Sequence, residues 1–89
     1  MRRISIEWDE DSIDHIWKHQ VDPEEVDETI ENRHVFRRGR GRRYYVLGRS
    51  HSGRYLFIVL ARKPTGNYRV ITTRDMTTAE RQWLRKKMK

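Results

Sequence analysis

The chain has 89 residues, no cysteine, two prolines, five glycines and almost no acid beyond residue 32. Lacking cysteine, it has neither disulfide staples nor a thiolate metal site, which fits a reducing cytosol. No Pro-, Gly- or Ser-rich tract marks a linker and no repeat is found, so residues 1–89 are read as a single domain. The start shows no apolar h-region of a signal peptide. The one long apolar run, residues 55–61, is far short of the roughly 20 residues a membrane span needs. A soluble, cytoplasmic protein without a membrane partner is expected. The glycines form neither a GxGxxG nor a P-loop pattern, and nothing carries the signature of a Ser-His-Asp nucleophile.

A domain this small buries only about two-thirds of its unfolded surface. Its core must therefore draw on large side chains, among them Trp8, Trp17, Phe36, Tyr44, Phe57 and Trp83. What the chain has in excess is charge, unevenly placed. Residues 1–32 hold eleven acids against three bases, whereas residues 33–89 hold seventeen bases against Asp75 and Glu80. A basic surface of this density attracts polyanions by counterion release, so a nucleic acid is the expected partner. A positive sheet neutralised by a negative helical layer of the same molecule is the plainer reading.

Ile4-Ser5-Ile6-Glu7-Trp8 alternates apolar and polar residues and predicts a half-buried first strand. Asp9 reads as an N-cap, followed by a helix that turns Ile13, Ile16 and Trp17 to the core. Asp22-Pro23-Glu24-Glu25 is a second start, with Asp as N-cap, Pro at N1 and Glu closing a capping box. Val26 and Ile30 face inward from this helix, and Asn32 stops it. A short strand at His34-Val35-Phe36 precedes a loop at residues 37–43. Strands follow at residues 44–49, 55–61 and 68–74, joined by turns at Ser50-His51-Ser52-Gly53 and Pro64-Thr65-Gly66-Asn67. The unbroken apolar character of residues 55–61 predicts a strand covered on both faces. Thr77-Thr78-Ala79-Glu80 opens a last helix with Trp83 and Leu84 inward and cations at its C-terminal end. The order β-α-α-β-β-β-β-α makes an α+β fold, with a mostly antiparallel sheet, two N-terminal helices and one C-terminal helix. Helices mainly on one face would leave the other for a ligand.

Arginine projecting from strands and loops is the main functional signal: Arg37, Arg38, Arg40, Arg42 and Arg43, then Arg49, Arg54, Arg62, Arg69 and Arg74. Arginine in preference to lysine favours forked contacts to phosphate. Tyr44, Tyr45 and Tyr68 offer stacking faces for unpaired bases. Against this, arginine on edge strands also guards against aggregation. His15 and His19 stand at i, i+4, a spacing that can hold zinc, but no third ligand accompanies them and no metal is expected. His34 and His51 read as strand-start and turn residues.

Three stretches together resemble a known family. Ile6-Glu7-Trp8-Asp9, with His15-Ile16, His19, Val21 and Pro23-Glu24-Glu25-Val26, is similar to the amino-terminal half of the BrnT-type toxins. Tyr45-Val46-Leu47-Gly48-Arg49-Ser50 with Gly53-Arg54 looks like their central hairpin. Val70-Ile71-Thr72-Thr73-Arg74, Met76-Thr77 and Glu80-Arg81 resemble their close. The resemblance implies a RelE-like fold and a ribonuclease toxin of a type II toxin–antitoxin system. Such a toxin needs no metal or other cofactor, inhibits translation and is neutralised by a cognate antitoxin protein; its substrate is RNA, including ribosome-associated mRNA. It maps the closing arginine onto Arg74 and the basic strand ends onto Arg62 and Arg69, giving those three as catalytic phosphate ligands with Arg49 helping. Tyr68, His51 and Lys63 are the proton-carrier candidates. Arg62 is expected beside Arg69 and near Arg74. The chain departs from the family pattern at Gln20, where glycine is usual, in a first helix one residue short, and at Trp83-Leu84, near which a tyrosine is often found. The alternatives are a non-catalytic RNA- or ribosome-binding module and an interaction protein that docks a partner through its opposed charges.

Overall fold

The computed structural model describes residues 4–88; Met1, Arg2, Arg3 and Lys89 lie outside it. Helix α1 (Glu10–Trp17) starts where expected. Asp9 accepts from the Ser12 amide at 2.7 Å, and Ser12 Oγ accepts from the Asp9 amide in return. Glu10 and Asp11 place negative charge at the positive end of the helix dipole. The helix closes on a 6→1 bond from the Val21 amide to the Ile16 carbonyl and a 5→2 bond from Gln20 to Trp17. That closure puts Gln20 at φ 58°, in the left-handed region. Val21 then packs back on Ile16.

The inward face of α1 is centred on Ser12 and Ile16, one turn apart, both buried. Trp17 is rotated a further 100° and is 53% exposed, so the expectation that it lines the core is corrected. Helix α2 (Pro23–Glu31) has the predicted Asp22–Glu25 capping box, buries Val26 and Thr29, and ends at Asn32.

Four strands form one antiparallel sheet in chain order: β1 (His34–Arg38), β2 (Arg43–Arg49), β3 (Tyr55–Arg62) and β4 (Tyr68–Asp75). Strand β1 runs on through Arg38 and β2 begins at Arg43, so the loop expected at residues 37–43 shortens to 39–42. The predicted first strand joins as a single parallel bridge of Ile6 with Tyr68, flanked by backbone bonds from Glu7 and to Ser5. In β3, Leu56, Ile58 and Leu60 are fully buried, while Tyr55, Phe57, Val59 and Ala61 between them are half-buried. One face is closed and the other half open, rather than both being covered.

The closed face carries the main core, where α1 packs on β4 and α2 on β2 and β3. Helix α3 (Thr78–Lys87) lies on the opposite face, with Leu84 packed on Leu47 and Met76 and with Tyr55 and Phe57 at the edge. The second face is thus partly roofed, not left wholly free.

Strand β4 contains a bulge. Leu60 pairs with Val70 but Val59 pairs with Thr72, leaving Ile71 extra. Beyond it the alternation is inverted: Thr73 is buried in the main core, and Arg74 emerges opposite Phe57 on the α3 face. Without the bulge Arg74 would share the face of Val70.

Candidate nucleic-acid interface

Between α3 and the second face runs an open groove of about 450 Å³. Tyr45, Leu47 and Phe57 line its sheet side, Glu80 and Trp83 its helix side, and Arg37 and Arg38 its outer end. The Arg37 guanidinium lies 5.3 Å from the Trp83 ring. Tyr45 depends on Gly39, where a Cβ would meet the tyrosine ring at 2.5 Å.

Arg74 stands at the groove's margin with its guanidinium 4.5 Å from the Phe57 ring. It donates to both Glu80 oxygens, at 2.8 and 2.9 Å, and to the Asp75 carbonyl at 3.0 Å. Glu80 also closes the α3 capping box, accepting from the Thr77 amide. These bonds, the one from Arg74 foremost, hold the Glu80 carboxyl at about 2. A planar, bidentate arginine facing a carboxylate is the geometry that also receives a phosphate.

Two strand positions along from Arg74's Phe57, Tyr55 lies on the same face amid cations. Arg49 is 4.6 Å from its ring, and Arg81 and Arg85 are 5.6 and 5.7 Å away. Arg85 Nε donates to its hydroxyl at 3.4 Å, and this bond with the surrounding charge lowers the phenol's pKa. From the sequence, Tyr55 reads only as part of the apolar core strand. Its signal was the arginine density of the last helix taken together with the hairpin register.

The three arginines expected to act together are separated. Arg62 pairs in register with Tyr68, and Ala61 with Arg69, at the β3–β4 turn. Arg74 is at the far end of β4, roughly 15 Å away along the strand. The expectation that Arg62 and Arg69 lie near Arg74 is therefore corrected: the hairpin register runs them apart. Arg69 is held by Asp9 at 3.2 Å, whereas Arg62 is exposed and forms no ion pair among the described residues.

Arg37, Arg38, Arg40, Arg42 and Arg43 are all exposed around the β1–β2 turn, and Arg49 lies over Tyr55. Tyr68 is 5% exposed, with Phe36 and Tyr44 edge-on to its ring, so it has no face to offer a base. Its expected RNA-binding and proton-carrying roles do not fit that burial. Arg54 is structural: it donates to Asp75 at 2.7 Å, to Glu25 at 3.1 Å and to the Gln20 carbonyl at 2.8 Å, joining β4, α2 and the end of α1. His51 sits by α2, its amide donating to Glu28 and its ring accepting from Asn32, and Lys63 is paired with Glu7 at 2.6 Å. The His15 and His19 rings lie 5.8 Å apart, tilted at 59° to each other, and among the described residues no group of three His, Cys, Asp or Glu is placed to hold a metal.

The sequence model of a family described as "Ribonuclease toxin, BrnT, of type II toxin-antitoxin system" matches residues 8–80. No curated protein matches the chain significantly. Among the described residues no helix is long and apolar enough to cross a membrane.

Proposed function

The chain belongs to the BrnT family of ribonuclease toxins of type II toxin–antitoxin systems, and from that premise we propose that it cleaves RNA, without a metal, in the groove between α3 and the sheet. The observation that supports this best is Arg74, which the β4 bulge turns out of the main core and onto Phe57 beside an aromatic groove. The scissile phosphate takes the fork that Glu80 now occupies, and bases stack along Tyr45 and Trp83. The ribose 2′-oxygen bonds to phosphorus as the bond to the 5′-oxygen breaks. Glu80, released from Arg74 and so restored to a more ordinary basicity, accepts the 2′-OH proton. The Tyr55 phenol supplies a proton to the leaving 5′-oxygen, giving a 2′,3′-cyclic phosphate and a 5′-hydroxyl. Arg74 and Arg37 stabilise the charge that builds on the phosphate.

In this reading the cytoplasmic toxin halts translation on ribosome-associated mRNA, and its cognate antitoxin neutralises it. Incubation of the purified chain with RNA in EDTA tests the chemistry. Wild type yields 2′,3′-cyclic ends, and Arg74→Ala cleaves roughly 10²- to 10³-fold more slowly. Cleavage that needs added metal, or that survives Arg74→Ala unchanged, removes the proposed site. Binding without product from the wild type supports instead a non-catalytic RNA-binding module, a reading favoured by one observation: Glu80 already fills the Arg74 fork.

A further inference from the structure

Away from the groove, on the main-core face and past the reach of α1 and α2, the sheet ends in a second open depression of about 520 Å³. Arg38, Arg42, Arg62 and Lys63 surround it, with Tyr44 as its wall. We propose that this depression is a phosphate-binding subsite for the unpaired RNA strand flanking the nucleotide cleaved in the groove; the proposal rests on the groove being the RNA-cleaving site.

Four observations carry it. Charge is the first: the lining has four cations and no acid, and of the four Lys63 alone is ion-paired among the described residues, with Glu7 outside the depression. Elsewhere in the fold Arg54, Arg69 and Arg74 are each matched to a carboxylate, whereas Arg38, Arg42 and Arg62 form no ion pair among the described residues. Unpaired cations so close repel one another until an anion joins them. Continuity is the second: Arg38 lines both the groove and the depression, so one strand passing the β1–β2 turn meets both.

The third is what the depression lacks. Phe36 stacks on Tyr44 at 5.3 Å and Tyr68 meets it edge-on at 5.6 Å, so Tyr44 is engaged within the core. The site therefore grips backbone phosphate and does not read bases, as suits a flanking strand of any sequence. The fourth is strain. Gly41 and Arg42, at φ 60° and 64°, are the two central residues of a tight turn closed by the Arg43 amide on the Arg40 carbonyl. Glycine or asparagine suits the second of these positions, and an arginine there is held against its backbone preference.

That strain supplies a test in which folding and binding move in opposite directions. Fluorescence anisotropy would follow a labelled, uncleavable 2′-O-methyl dodecamer and the matching trinucleotide across a salt series. Arg42→Gly is expected to raise the melting temperature yet weaken dodecamer binding several-fold. The Arg42→Gly, Arg62→Ala pair is expected to lose tenfold or more, with the log–log salt slope shallower by about 1.4, at about 0.7 per phosphate contact on a single strand. The loss should grow with oligonucleotide length, and on cleavable RNA it should appear in KM more than in kcat. An equal loss on trinucleotide and dodecamer, with kcat falling, would place Arg62 at the reacting phosphate and overturn the proposal. So would dodecamer binding unchanged in affinity and salt slope. If Arg74→Ala cleaves normally while the length-dependent loss persists, the groove mechanism fails and the subsite stands.

Discussion

Gln20 shows what one residue costs in a small fold. Its φ of 58° is set by the 6→1 and 5→2 bonds that close α1, and its carbonyl must stay in place to receive Arg54. An L-residue in that region is strained by about 1 kcal/mol, and glycine is not. Where the family resemblance leads one to expect glycine, this chain bears the strain. Gln20→Gly should therefore stabilise the protein by about 0.5 kcal/mol after the entropy glycine adds to the unfolded chain, a rise of a few degrees in Tm by calorimetry. A fall in Tm would show that the glutamine side chain holds the closure in some other way. Thr73 presents the reverse problem: the bulge buries it completely, and its hydroxyl finds no partner among the described residues. Thr73→Val keeps the shape and removes the unsatisfied group. It should shift the urea midpoint upward, by about 1 kcal/mol of stability with the slope unchanged. No gain would mean that a water reaches the hydroxyl.

At the scale of elements, what could be read in advance was whatever depends on neighbours in sequence. Asp9, Asp22–Glu25 and Thr77–Glu80 announced three helix starts because a cap is made within four residues. Gly53 at φ 92° and the spans of β2 and β3 were legible for the same reason, whereas the half-open face of β3 was hidden by its unbroken apolar run. The bulge was not. Val70-Ile71-Thr72-Thr73 is β-branched throughout, so nothing in its pattern says which residue is extra; the pairing with β3 decides it. That one insertion governs the candidate site, because it determines on which face Arg74 emerges. Trp17 escaped for a related reason, since a tryptophan beside two isoleucines fits the apolar stripe until Ser12 is found to occupy the inward position. The distance between Arg62 and Arg74, by contrast, already follows from a strand over residues 68–74, whose length carries Arg74 away from the turn that holds Arg62 and Arg69.

Across the whole molecule, the acidic N-terminal third and the basic remainder meet in specific pairs: Glu7 with Lys63, Asp9 with Arg69, and Glu25 with Arg54, which also binds Asp75. Part of the sheet's charge is thus neutralised internally, in line with the plainer reading of the charge distribution, while the arginines around the β1–β2 turn form no ion pair among the described residues. These pairs give stability a pH dependence of definite sign. Glu7, through its bond from Lys63 foremost, and Glu80, through Arg74, are held at about 2, against 4.5 for a free glutamate. Asp9 and Asp75 are lowered too, by the Ser12 amide and by Arg54 respectively. A group depressed on folding contributes stability above its unfolded pKa and loses it as pH falls through the folded value. Asp27, raised by burial, works in the opposite sense but stands alone. The urea midpoint should therefore hold steady above about pH 5 and fall progressively between pH 4.5 and 2. Glu80→Gln should flatten part of that fall, and high salt should weaken the exposed pairs at every pH. A midpoint level down to pH 2 would show that the carboxylates titrate alike in the folded and unfolded chain, and that these pairs do not hold the acidic helices to the basic sheet.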